Sequence, residues 1–436
     1  MTPLYDAIRA YAAQKPTRFH MPGHKGSFLP VPELQSIAPL DVTEVEPTGD
    51  LFSGGEPFDT AQKLWAERFS MDNCLFLTGG STLGLHAALA LFCRPGDQVL
   101  IDRGCHRAVY NALALLDLEP VYLPRPWRAG EGIAGPISPT DVENLLDSHP
   151  NIKTVCITSP TYSGVFSDVK KLSHIIHARG GNLIVDGAHG AHLPFLGVDA
   201  FSGCDALICS AHKTLPALGQ SALLFTNGVD PRRVRQMTSV FGSSSPSYPM
   251  MISLDCARDY LDGKGTEEYR RVTRRTAALR AAFPSLQEGE LRLDPTRLTL
   301  TSPDGNALAQ ALEGENIWPE MADSGHVVLI LTAQDSEDDL HRLEEALQRH
   351  RNLLGTPPIL PPPPMPKPVR SLREALFAPV ERLPLENCLG RVAAGQLAPS
   401  PPGVPVVAPG EVIGEKELAY LREIGYNNSD VPVMCL

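Results

Sequence analysis

The sequence predicts an α/β layer fold built on a mostly parallel seven-stranded sheet between helices, with a small α+β domain and a C-terminal domain after it. Three observations predict it. Short apolar runs and helical stretches alternate between residues 60 and 260. Several of those runs are apolar almost throughout, as strands covered on both faces are. Past residue 260 the texture changes to shorter, mixed segments.

The seven expected strands are "CLFLT" (74–78), "QVLID" (98–102), "PVYL" (120–123), "TVCIT" (154–158), "NLIVD" (182–186), "ALICS" (206–210) and "SALLF" (221–225). Helical stretches such as "STLGLHAALALF" and "DVKKLSHIIHARG" separate them. Residues 1–35 read as a short helix and a Pro/Gly-rich arm containing "FHMPGHKG", and 36–260 as the large α/β domain. Residues 261–354 form the small domain, with "LRLDPTRLTLT" and "HVVLILTA" among its segments. The run "GTPPILPPPPMPKP" (355–368) is too rich in proline for helix or central strand and is expected to be an extended linker. The C-terminal domain, 369–436, holds a helix, the segment "LAPSPPGVPVVAPGE" (397–411) and a last helix near 415–424. No internal repeat is found.

Composition narrows the function classes. The 436 residues are 43% hydrophobic and 20% charged, ordinary values for a globular protein. A net charge of −12 argues against nucleic acid and anionic membranes as partners and suits a cationic substrate. The longest apolar stretches are of strand length, so no membrane span is expected. The first residues lack both a basic leader and an apolar core, so no secretory signal is expected. Nine cysteines without a CxxC pair fit reduced thiols in the cytoplasm better than a zinc site or a disulfide framework.

Four segments at expected strand ends carry chemistry, at the edge where open α/β sheets bind ligands. In "LTGGSTLGLHAAL", Ser81 and Thr82 follow two glycines at the start of a helix. Hydroxyls, amide N–H groups and the positive end of the helix dipole there suit a phosphate; either residue alone is equally an N-cap. In "NLIVDGAHGAH", Asp186 closes a buried strand and is followed by small residues that admit something flat, so its carboxylate suits a protonated ring nitrogen or, alternatively, caps the next turn. His189 and His192 have HxxH spacing, but no third ligand or HExxH helix supports a metal, and none is expected. In "CSAHKTLPALGQ", Ser210 and His212 flank Lys213. A partly desolvated lysine at that place is an amine nucleophile for carbonyls; the alternative is a surface lysine in a loop. In "DRGCHRAVYNAL", His106 is placed to stack on a flat ring or to start a helix with a local hydrogen bond.

Phosphate cradle, stacking ring, aspartate and lysine stand in the chain order of a fold-type-I pyridoxal-phosphate enzyme. More narrowly, "FHMPGHKG", "DVTEVEPTGDL", "FLTGGST", "DRGCHRAVYNAL", "TSPTYSGVFSDV", "VDGAHGAH", "SAHKTLPALGQ" and "VPVVAPGE" resemble the Orn/Lys/Arg decarboxylase family over nearly the whole chain. The resemblance implies a short form without the N-terminal wing domain of the large members. It implies pyridoxal 5'-phosphate held by Lys213 through an imine, its phosphate bound by Ser81, Thr82, Ser210 and His212, Asp186 on the pyridine nitrogen, Ala188 against the ring and His106 stacked on the other face. "TGDLFSGGEP", "LGQ" and "PSPPG" depart from the family's more usual "DDL", "LTQ" and "PYPPG", in segments that bear on specificity.

The expected reaction is decarboxylation of arginine, lysine or ornithine to its amine, with a lean to arginine, feeding polyamine metabolism. Lys213 or His106 would return a proton to the α-carbon. Fold-type-I sites form between subunits, which implies a homodimer or a higher homo-oligomer. Glu411 is a candidate for the substrate's distal cation, or else it only begins the final helix; Glu44 and Asp50 are similarly placed. The rival readings are an aminotransferase or aldolase on the same scaffold, for which Arg391 would grip a carboxylate, and a non-catalytic amino-acid sensor.

Overall fold

The structure, a computed structural model, describes residues 1–398, 404–426 and 428–435. The "PSPPG" departure at 399–403 lies outside the described residues. Nine strands fall in the first 226 residues: β1 (Asn73–Leu77), β2 (Gln98–Asp102), β3 (Glu119–Leu123), the short hairpin β4 (Trp127–Arg128) and β5 (Ile133–Ala134), β6 (Thr154–Thr158), β7 (Asn182–Asp186), β8 (Ala206–Ser210) and β9 (Ala222–Thr226). All but the hairpin form one sheet in the order β1-β9-β8-β7-β6-β2-β3. These are the seven strands expected from the sequence. Four have the expected bounds, β3 starts one residue earlier, and β1 and β9 are each shifted by one residue at both ends. The ladder accounts for the shifts of β1 and β9: the two pair from Asn73↔Thr226 to Leu77↔Ala222, and each strand begins and ends with that pairing.

The helices are α1 (Pro3–Ala13), α2 (Phe58–Phe69), α3 (Gly80–Phe92), α4 (Arg107–Leu116), α5 (Pro139–Ser148), α6 (Val169–His177), α7 (Ala211–Thr214), α8 (Pro231–Phe241), α9 (Tyr248–Tyr260) and α10 (Thr266–Ala282). Beyond them come β10 (Arg297–Thr301), α11 (Gly305–Gly314), β11 (Met321–Ala322), β12 (His326–Ile330) and α12 (Glu337–Arg349). The C-terminal part adds α13 (Leu372–Leu376), β13 (Val380–Leu383), α14 (Glu415–Glu423) and β14 (Val431–Met434).

The chain divides into two compact units, each made of separate stretches: 1–91 with 184–270, and 92–183 with 271–436. In the first, β7 runs parallel to β8, and β9 runs antiparallel to both β8 and β1. Two reversals restore direction, so β1, β7 and β8 all point their carboxyl ends to one edge. Helix α3 leaves that edge and packs tightly on the strands. A methyl at Gly84 would lie 2.7 Å from Leu77 and 2.8 Å from Ile208, so only glycine lets the helix come this close.

Helix α1 buries Leu4, Ile8 and Tyr11, one face at helical spacing. Each of the two aliphatic side chains contributes about 1.5–3 kcal/mol by leaving water. Its first turn is held from α9: Asp255 Oδ2 accepts the N–H of Leu4 at 2.9 Å and of Tyr5 at 3.1 Å.

In the second unit β2 is parallel to β3 and to β6. A separate three-stranded sheet, β10-β12-β11, packs with α11 and α12 around Leu298, Leu300, Leu308, Val327, Leu343 and Leu347. Helix α12 starts with a capping box, Ser336 and Asp339 each closing the other's orphan N–H. Residues 356–367 carry neither helix nor strand, as their prolines require. The antiparallel pair β13-β14 and α14 enclose a smaller core of Leu385, Val407, Ile413, Leu421 and Val433.

Two measurements check this packing. Gly84→Ala is expected to destabilise the protein by about 1–3 kcal/mol through overpacking, read as a lower denaturant midpoint, whereas Ser81→Ala on the same helix costs less. Burial pushes the Asp255 carboxyl up to about 6, against its two backbone hydrogen bonds and Arg258. A folded pKa above the unfolded value gives stability that is complete below the unfolded pKa and is lost as pH rises through the folded one. Wild type should therefore gain stability relative to Asp255→Asn as pH is lowered from about 7 to about 5, in paired urea titrations.

Candidate active site

The shared edge of β1, β7 and β8 gathers the expected groups of the first unit. Past β1, Ser81 stands in the first turn of α3, where N–H groups lack intrahelical acceptors. Past β8, Ser210 precedes the four-residue helix α7, which carries His212 and Lys213. The two hydroxyls meet, with Ser81 Oγ 2.7 Å from Ser210 Oγ. Because β9 runs the other way, its start lies at the same edge, and His212 Nδ1–H donates to Ser221 O at 2.8 Å. Tyr269 O–H donates to Thr214 O and holds the end of α7. Thr82 is exposed, and Ser81, His212 and Lys213 are half-buried.

Past β7, Asp186 is buried and its Oδ1 accepts the N–H of Ala188 at 3.2 Å. The turn is pressed against β8: a methyl on Gly187 would stand 2.6 Å from Leu207. The histidine that sequence reasoning left without a role is in this turn. His189, buried, has its Nε2 3.1 Å from Lys213 Nζ. His192 instead stacks on Tyr269, with ring centroids 5.5 Å apart and planes at 26°. The HxxH pair is thus divided between two uses. The signal for His189 was the small residues around it, which admit a partner as readily as a ring.

His106 belongs to the second unit, past β2, where it N-caps α4 and its Nδ1 accepts the N–H of Ala108 at 3.2 Å. The loop before it is firmly tied. Asp102 is held by Arg125, whose Nε–H donates to Oδ1 at 3.0 Å and Oδ2 at 2.9 Å and whose Nη2–H donates to Oδ2 at 2.6 Å, and it accepts the N–H of Gly104 at 2.8 Å. Arg103 donates to Tyr110 Oη at 2.7 Å, to Val406 O at 2.9 Å and to Glu411 Oε2 at 2.9 Å.

Glu411 is therefore fully buried, with Oε2 committed to Arg103 and to the N–H of Ala408 at 2.7 Å. Burial pushes its carboxyl above the usual range, and Arg103 pulls the other way. It does not begin the final helix, which starts at Glu415. Asp50 is used by its own loop: despite some burial, the Ser53 hydroxyl and the N–H groups of Phe52 and Ser53 hold it below the usual range. Glu44 bonds Thr43 through Oε2, and its Oε1 is buried without a hydrogen-bond partner among the described residues. Arg391 is tied to Glu381 at 2.7 Å and to Met434 O at 2.8 Å, within the β13-β14 region.

The first unit fits a phosphorylated, ring-bearing aldehyde. Two hydroxyls in contact at a helix start supply phosphate donors. The approach to Gly80 is open, since a methyl there would meet nothing closer than Gln220 O at 3.7 Å. The buried hydroxyls of Thr214 and Ser221, on either side of this loop, have no hydrogen-bond partner among the described residues. A buried carboxylate and an amine complete the set. Fold and site together define a pyridoxal-phosphate enzyme of fold type I.

The sequence pattern of the Orn/Lys/Arg decarboxylase major domain matches residues 2–297, and that of its C-terminal domain residues 360–433. The chain belongs to the Orn/Lys/Arg decarboxylase family, and it is a pyridoxal-phosphate-dependent amino-acid decarboxylase. The protein YaaO of Bacillus subtilis is 30% identical over 97% of this chain and 94% of its own length. An arginine decarboxylase of the same organism is 28% identical, over 96% and 93%. The crystal structure of the Francisella novicida lysine decarboxylase LdcF superposes with a TM-score of 0.83 at 19% identity, covering all of this chain and 81% of that one. No helix among the described residues is long and apolar enough to cross a membrane.

Removing one partner of the buried pair leaves an uncompensated charge. Glu411→Ala or Arg103→Ala is expected to cost about 3–5 kcal/mol, and the double variant less than the sum of both, in a denaturation double-mutant cycle.

Proposed function

We propose that the chain converts a basic amino acid, arginine before lysine or ornithine, to its amine and carbon dioxide. The observation that carries the reading is the placing of Lys213 at one sheet edge with the Ser81–Ser210 hydroxyl pair and Asp186. The preference for arginine rests on the arginine decarboxylases among its relatives, 28% identical over nearly the full chain. An amine of this kind feeds polyamine metabolism. A cytoplasmic homodimer fits the free state of all nine cysteines and the common assembly of this fold type. The domain bounds 1–35, 36–260, 261–354, 355–368 and 369–436 are part of the same proposal.

Bound pyridoxal phosphate supplies a carbonyl for the amine and a cationic ring that takes up the electron pair left by departing carbon dioxide. Ser81, Thr82, Ser210 and His212 hold its phosphate at the start of α3. Asp186 keeps the proton on the pyridine nitrogen through a charge-assisted hydrogen bond. Ala188 would leave room for a ring face, and His106 is the residue proposed to stack on the ring. Lys213 Nζ would hold the cofactor through its carbonyl carbon. Lys213 or His106 would be the proton donor to the substrate's α-carbon. Arg391, spent on Glu381, is not available to grip a carboxylate as a transaminase would require.

Given arginine, lysine and ornithine together, the cofactor-loaded protein should release agmatine first, with cadaverine and putrescine slower, by mass spectrometry. Lys213→Ala should abolish both the cofactor's bound chromophore and turnover. Consumption of no basic amino acid by a loaded wild type would refute the proposed function.

A further inference from the structure

The contact between Lys213 and His189 constrains where protons sit. A lysine ammonium has three donors and no acceptor, and an imidazolium is a donor at both nitrogens. Nζ and Nε2 at 3.1 Å therefore hold a hydrogen bond only when at least one group is neutral. The chain enforces that contact rather than merely allowing it. His189 is buried in a turn closed by the N–H of Gly190 on Gly187 O at 2.8 Å and by Ala188 on Asp186. The turn cannot back away, because Gly187 is pressed on Leu207 and Phe201. On the other side α7 is held by Tyr269 on Thr214 and by His212 on Ser221.

We propose that His189 is a further catalytic residue, the base that frees the Lys213 amine for attack on a carbonyl. The step balances within the pair. The Nζ–H bond of the ammonium breaks, its electron pair stays on nitrogen, and a new N–H bond forms at Nε2. The positive charge passes to the imidazole and the total is unchanged. Water takes the proton from the imidazolium afterwards. The other titratable groups on the elements that carry the pair are Asp186 at the end of β7, His212 on α7, and His192 with Tyr269 stacked on it. The inference rests on the reading of Lys213 as the cofactor's amine, and it assigns His189 a role that this reading does not need.

The test follows capture of pyridoxal phosphate by the full chain stripped of cofactor, read by the absorbance change on binding, across a range of pH. His189→Gln keeps a hydrogen-bond acceptor but takes no proton; His189→Ala leaves space for imidazole. Both should capture the cofactor on the order of 10²-fold more slowly than wild type near neutral pH. Both should lose the limb of the pH profile that belongs to His189. Added imidazole should restore the rate of His189→Ala in proportion to its free-base concentration. Wild-type rates and profiles in both variants would overturn the proposal. So would a loss in His189→Ala that His189→Gln repairs, since that describes a positioning contact. If His189→Ala does not melt like wild type, His189→Gln alone decides between these results. Failure of wild type to label Lys213 on reduction with borohydride would instead remove the underlying reading.

Discussion

The site depends on how closely α3 lies on the sheet. Its axis is set by contact of Gly84 with Leu77 of β1 and Ile208 of β8, where a single methyl would intrude by several tenths of an ångström. That closeness brings the start of the helix to the carboxyl end of β8, and Ser81 reaches Ser210 as a consequence. A helix one ångström further out would separate the hydroxyls. The hydroxyl pair at the helix start is thus a consequence of one packing distance.

The antiparallel strand β9 has a matching role. By reversing direction between β1 and β8 it lets two strands far apart in sequence run the same way, and it returns Ser221 to the edge they share. The His212–Ser221 bond then holds α7, which is too short to be stable by itself. Lys213 is positioned by its neighbours' backbone more than by its own helix. Its amine meets His189 because a second turn, past β7, is also clamped to β8.

The second unit uses charge where the first uses closeness. Asp102 and Arg125, then Arg103 and Glu411, tie the loop before His106 from both sides. Such buried pairs contribute little net stability against apolar replacements, yet leave few alternative arrangements open to the loop. Glu411 illustrates the difference between a carboxylate's charge and its use. Motif reading offered it to a substrate cation, while the chain meets that charge with its own guanidinium.

Strand positions and the lysine, aspartate and glycine-serine motifs were legible without coordinates. Apolar runs bounded by polar residues record burial on both faces, and strand ends follow from them to within a residue. Family motifs likewise sit in contiguous segments, where spacing along the chain preserves the pattern. What spacing could not carry was the pairing of groups brought together through the sheet. Lys213 and His189 are 24 residues apart, Arg103 and Glu411 are 308 apart, and no local pattern marks either partner for the other. Those pairings depend on strand direction, helix closeness and the orientation of turns, which are decided by packing of the whole chain. The sequence by itself determined the scaffold and its chemical inventory; the tertiary structure decided which histidine meets the amine and which carboxylate is already spent.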